Sequence, residues 1–188
     1  MMSKGNYGYA KSLKRRRLLL MLLCFLFIVA DVVSSLVFFQ TKKTLFVVLA
    51  CIMSIPFAKN LIGYLMVIRC EPLSEEDHEK AEEIAGERET VFAYDISVTD
   101  TEGALFYPCV AVYNNNVIGL VQKNQNFRKK DAVTFLKKVQ EGVPTKPRVV
   151  VVDSLKELKR ELDRLNPPKE DQVDADVKIA ERLLELGF

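Results

Sequence analysis

Two long hydrophobic runs dominate the first third of the chain. Residues 18–39 and 44–68 are almost unbroken apolar sequence. A bilayer core about 30 Å thick is crossed by roughly 20 helical residues, and both runs reach that length. Backbone groups in lipid must bond within their own segment, so each run is expected to form a transmembrane helix. Only Gln40-Thr41-Lys42-Lys43 separates them, which predicts a tight antiparallel hairpin with residues 40–43 as an external turn. A cleaved signal peptide fits the basic start, but the first run is too long for a signal core and a second span follows at once.

Beyond Arg69 the pattern becomes polar and short-period. Ser74-Glu75-Glu76-Asp77 reads as a helix start, with the helix reaching about residue 86. Three β-rich stretches follow at 90–99, 104–113 and 117–122. They are divided by Asp100-Thr101-Glu102-Gly103 and Asn114-Asn115-Asn116, both turn-forming, so an antiparallel meander is expected. A helix is expected over 130–141, burying Ala132, Val133, Phe135, Leu136 and Val139 and stopped by Gly142 and Pro144. Residues 148–152 form a short apolar strand. Asp153-Ser154 then caps a helix that buries Leu155, Leu158, Leu162 and Leu165. Pro167-Pro168 ends it, and a last amphipathic helix spans 173–186.

The order α-β-β-β-α-β-α, followed by a C-terminal helix, predicts an α+β domain over 71–166 with a mostly antiparallel sheet and flanking helices. Residues 167–188 form the C-terminal helix, which the two prolines could detach as an interaction arm.

Charge divides the chain at the same boundary. Residues 1–69 hold ten of the 27 Lys and Arg and one of the 25 acids, Asp31, for a net +9; residues 70–188 carry a net −7. Lys4, Lys11, Lys14, Arg15, Arg16 and Arg17 precede the first run, as the basic N-terminus 1–17, and Arg69 follows the second. The positive-inside rule therefore places both chain ends in the cytosol, in a two-span protein of the cell membrane. Cys24, Cys51, Cys70 and Cys109 offer no short-spaced pair for zinc or a disulfide framework. The single histidine, His78, falls on an acidic helix expected to be exposed.

Two ionisable residues lie deep in the spans. Asp31 is about 12 Å below the outer end of its helix and Lys59 about 22 Å. The difference of about 10 Å exceeds the reach of a lysine arm of roughly 6 Å, so a direct pair within one hairpin is not expected. In one reading Lys59 snorkels to the headgroups while Asp31 bonds the nearby hydroxyls of Ser34, Ser35 and Ser54. In the other, these residues mark a helix–helix contact between copies of the chain or with another membrane protein. Pro56 is expected to kink the second helix.

The element order of the soluble part resembles the restriction-endonuclease-like fold. That resemblance implies magnesium held by an acid on the second strand, with a Glu or Gln two residues before a Lys on the third. Placing Lys123 at the family lysine puts Val121 where the Glu or Gln should be, and Gln122 points to the other face. No Asp or Glu lies between Gly103 and Lys130, so the metal site is incomplete. No Walker loop or dinucleotide turn is present, and no cofactor is expected. Lys123, Arg128, Lys129 and Lys130 form a basic loop with Phe127 among them. It reads either as a contact for nucleic acid or anionic lipid, or as a solvated loop offsetting an acidic domain. The acidic balance of residues 70–188 argues against strong nucleic-acid affinity.

Pro56-Phe57-Ala58-Lys59 in the second span and Asn115-Asn116-Val117-Ile118-Gly119 entering the third strand resemble an uncharacterised bacterial family of small two-span membrane proteins, some labelled O-linked N-acetylglucosamine transferase-like. The resemblance implies the layout and carries no established activity; the soluble part lacks a nucleotide-sugar site. The expected function is that of a non-catalytic, bilayer-anchored protein whose cytosolic domain binds a partner or itself. The alternative is a membrane-tethered nuclease-like or nucleic-acid-binding domain.

Overall fold

The computed structural model describes residues 4–39, 45–68, 70–88, 90–100, 103–122, 129–168 and 170–186. Two compact units emerge. One comprises residues 10–69 and the other residues 1–9 together with 70–188.

The first unit is two long helices, α1 (Tyr9–Phe39) and α2 (Leu45–Ile68). Within them, Tyr9–Ser35 and Val48–Ile68 are long and apolar enough to cross a membrane. Their large side chains point outward on every side, with Leu26 66 % and Ile55 70 % exposed, so each helix is apolar all round rather than along one stripe. The first helix starts nine residues before its apolar run, so the basic stretch from Lys11 to Arg17 is helical rather than an extended tail. Phe25 meets Phe57 with ring centroids 6.3 Å apart, and the Arg17 guanidinium lies against Gly63. Both contacts set α1 and α2 antiparallel and in nearly the same register. The expected turn, residues 40–43, lies outside the described residues.

The second unit is a small mixed sheet between two layers of helices. Its elements are α3 (Glu75–Arg88), β1 (Val91–Asp100), β2 (Gly103–Tyr113), β3 (Asn116–Leu120), α4 (Lys129–Lys137, continued by a 3-10 turn to Gly142), β4 (Arg148–Val152), α5 (Leu155–Asp163) and α6 (Glu170–Leu186). The strands lie in the order β1-β2-β3-β4. The first three pair antiparallel and β4 runs parallel to β3, the crossover being supplied by α4. Local signals set the boundaries. Ser74 accepts from the Asp77 amide at 3.2 Å, and Ser154 accepts from the Glu157 amide at 3.3 Å. The Glu157 carboxylate in turn accepts from the Asp153 amide at 3.2 Å, next to the cap. Asn114 and Asn115 both adopt positive φ, 48° and 57°, as a two-residue turn between twisted strands requires.

Helices cover both faces. Leu136, Val139, Ile179 and Leu183 pack on one side with Val110, Val112 and Val117; Ala81, Ile84, Leu158 and Leu162 pack on the other with Ala111, Ile118 and Leu120. Gly119 has no Cβ because Leu136 occupies its place, with the Tyr107 ring 3.0 Å away. The strands change face midway. Ala93, Ile96 and Val98 share one layer, as do Leu105, Tyr107, Val110 and Val112, although residues three apart cannot share a face of a regular strand. The ladder skips the facing pair Asp95 and Pro108. Pro108 has no N–H to give, and Asp95 sits at φ 54°; both strands reverse there together, so the register survives.

The prolines at 167–168 do not detach α6. Ile179, Ala180 and Leu183 lie in the core, and Asp176 is buried at the β2–β3 turn.

Candidate functional site: a clamp on the first strand

Asp31, Ser34 and Ser35 lie on α1, and Ser54 and Lys59 on α2. Ser54 donates to the Cys51 carbonyl of its own helix at 2.6 Å. Among the described residues no ion pair joins Asp31 to Lys59. The contacts of Phe25 with Phe57 and of Arg17 with Gly63 set Lys59 level with about residue 22, roughly 14 Å along the axis from Asp31. Ser35 is buried, Ser34 and Asp31 are half-buried, and Lys59 is exposed. Asn60, which the sequence pattern did not single out, donates to the Pro56 carbonyl at 2.8 Å, beside the proline that breaks the ladder of α2.

The central hairpin presents neutral groups. β3 ends at Leu120, two residues before the expected end, so Gln122 lies outside the ladder, and Val121 donates its amide to the Val152 carbonyl at 3.0 Å. Lys123 and Arg128 lie outside the described residues. Lys129 and Lys130 open α4. Among the described residues no group of three or more His, Cys, Asp or Glu is placed to hold a metal.

A polar and aromatic cluster forms elsewhere, where the start of the chain meets β1 and α3. The Gly5 carbonyl accepts from the Tyr94 amide at 2.9 Å, extending the outer edge of β1 by one antiparallel bridge. Gly5 sits at φ 85°, and a Cβ there would lie 2.6 Å from Leu184. Two residues on, the Tyr7 ring stacks on His78 at 3.9 Å and 8° and meets Tyr94 edge-on at 6.3 Å. His78 also meets Tyr94 edge-on at 4.8 Å. The Tyr7 hydroxyl donates to the Leu73 carbonyl at 3.0 Å, tying the stretch that enters α1 to the stretch that leaves α2. Tyr94 donates to Glu82 at 2.7 Å.

His78 is therefore half-buried between two tyrosines, not exposed as its acidic helix suggested. Its neighbours could not be found from sequence, because Tyr7 lies 71 positions away and no periodicity links them.

The Tyr7 and Tyr94 phenols and the neighbouring Cys109 thiol are held protonated. Burial pushes the Tyr7 phenol up, with the Glu75 and Asp95 carboxylates adding to it. Burial also raises Tyr94, reinforced by its bond to Glu82. Burial raises the Cys109 thiol, with Glu82 and Asp95 adding to it. A buried protonated thiol is a poor nucleophile, and protonated phenols donate hydrogen bonds rather than attack. Together these contacts latch the start of the chain onto β1 and α3.

A second buried carboxylate, Asp176 of α6, accepts from the amides of Asn114 at 2.6 Å and Asn115 at 2.8 Å. Asn114 reaches the Asn166 carbonyl at 3.0 Å, and Arg148 donates its amide to the Asn115 carbonyl at 3.0 Å. The Asn-rich motif is thus a structural hub joining the hairpin, β4 and α6. Asp176 was legible in principle, as an acid on the same helical stripe as Ile179, Ala180 and Leu183. No protein-family model, curated protein or solved structure matches this chain.

Proposed function

We propose that this is a membrane-anchored interaction protein, its two long helices spanning a bilayer and its α/β/α domain binding another protein on the cytosolic side. The observation that carries the reading is the outer face of α6. Val173 and Val177, one turn apart, are 47 % and 43 % exposed, while the other large exposed apolar side chains of the described residues belong to the two long helices. Residues at i and i+4 on a helix form one ridge, and an apolar ridge on an otherwise buried-core domain fits a docking contact.

Two further features support the anchor. Residues before α1 and after α2 belong to one folded unit, as required if both leave the membrane on the same side. The basic residues cluster on that side, in keeping with a cytosolic location. The sheet order and the two helical layers keep the endonuclease-like alternative alive as a kinship of fold, but a fold carries no chemistry without its site.

A photo-crosslinker at position 177 of the full chain, activated in native membranes, tests the proposal. A product of twice the chain mass identifies self-assembly, and a discrete heavier adduct identifies another protein. Val173→Glu, on the same ridge, abolishes either. Monomer alone, in membranes where the protein is fully inserted, sinks the reading.

A further inference from the structure

The start of α1 concentrates positive charge in a unit that holds a single acid. Lys11, Lys14, Arg15, Arg16 and Arg17 lie in its first turns, and Asp31 is the single acid of residues 10–69. Asp31 lies about 21 Å along the helix from Arg17. Among the described residues, Lys11, Arg15, Arg16 and Arg17 form no ion pair.

Arg17 differs from its neighbours. Arg15 and Arg16 are exposed, whereas Arg17 is half-buried. Its guanidinium lies across α2 at Gly63, where a Cβ would collide with Nη1, meet Cζ at 2.7 Å and crowd Nε at 3.1 Å. Glycine is the residue that leaves this room, so the two helices hold a planar donor group in the seam between them. Arg17 is also the last polar residue before the apolar run opens at Leu18. In a helix crossing a bilayer, that is the level of the headgroup phosphates.

We propose that the Arg17–Gly63 seam binds the headgroup phosphate of an anionic phospholipid. Arg17 is the bidentate donor, and Arg15 and Arg16 supply the surrounding positive field. This rests on the membrane-spanning reading above. A guanidinium fork matches two phosphate oxygens in one plane, and packing against Gly63 fixes that plane before the lipid arrives. An arginine at the edge of hydrocarbon without an acceptor is costly, and an anionic headgroup removes that cost.

Membranes carrying the full chain are first washed with alkaline carbonate, and the protein they retain is taken up in detergent and placed in nanodiscs of phosphatidylcholine with and without phosphatidylglycerol. Retained lipid is counted by native mass spectrometry. The expected result is preferential retention of phosphatidylglycerol. Arg17→Gln lowers it by more than about tenfold, the loss of a charge-assisted bidentate contact. Arg15→Gln lowers it about fivefold, as one charge in a diffuse field does. Gly63→Leu keeps every charge but evicts the guanidinium, and matches Arg17→Gln. Should Gly63→Leu disturb the hairpin, Arg17→Lys keeps charge and packing volume, and loses several-fold because an ammonium cannot bond in a fork. Equal losses for Arg15→Gln and Arg17→Gln, or full retention by Arg17→Lys, overturn the seam in favour of a diffuse field. Absence of any preference in a carbonate-resistant protein overturns this inference alone. Release by carbonate overturns the membrane reading on which it stands.

Discussion

Replacing Tyr7 with alanine removes three contacts at once. The lost hydroxyl bond to the Leu73 carbonyl is worth about 1 kcal/mol net. The stack on His78 and the edge contact with Tyr94 are each worth about 0.5–1.5 kcal/mol. The clamp therefore weakens by about 2–4 kcal/mol. Its release exposes the amide of Tyr94, which donates to Gly5, so local opening governs exchange at that site. A loss of 2 kcal/mol is about a 30-fold fall in protection, at roughly tenfold per 1.4 kcal/mol. Tyr7→Phe keeps the ring and loses only the hydroxyl bond, so a fall of about fivefold is expected. Amide hydrogen exchange of the full chain in detergent, resolved at Tyr94 and at Val117 as a control in β3, measures both. Unchanged Tyr94 protection in Tyr7→Ala refutes the clamp. An equal fall at Val117 refutes its local character, since the whole domain would then be opening.

Two other outcomes follow from buried groups. Burial raises the Asp176 carboxyl above its ordinary value despite the two amides it accepts from. The folded state then holds its proton more tightly than the unfolded chain, so this group's contribution is greatest in acid and is lost as pH rises through the raised folded value. Unfolding free energies measured across the acid range should therefore show a fall with rising pH that Asp176→Asn removes, and a flat difference between the two proteins counts against the assignment. Leu183→Ala should cost the whole domain about 2–5 kcal/mol, because its side chain is fully buried in the core; chemical denaturation that melts α6 alone, with the sheet unaffected, would show the helix to be an appendage.

Periodicity made most of the elements legible. The two apolar runs announced α1 and α2 by length, and the β-rich composition from Ala104 to Tyr113 announced β2. Asp153-Ser154 placed the start of α5, since a cap is local chemistry, and the structure adds Glu157 to it. The paired asparagines of the β2–β3 turn were legible for the same reason. Boundaries shifted where packing outweighed propensity: β3 stops at Leu120, and the helix after it tightens into a 3-10 turn before Pro144.

Tertiary structure decided the rest. Nothing in the local sequence brings Tyr7 to His78 and Tyr94, because a long hairpin of chain separates them. Two prolines suggested a detached α6, yet its apolar stripe and Asp176 belong to the sheet and the turn, and burial outweighs a local break in the chain. The face reversal at Asp95 and Pro108 needs both strands side by side to be seen. The apolar runs marked by composition alone which helices are long and apolar enough to cross a membrane, because transfer into hydrocarbon depends on each segment's own groups. Which arginine sits in the seam depended on Gly63, 46 residues further along, leaving a gap where any other side chain would fill it.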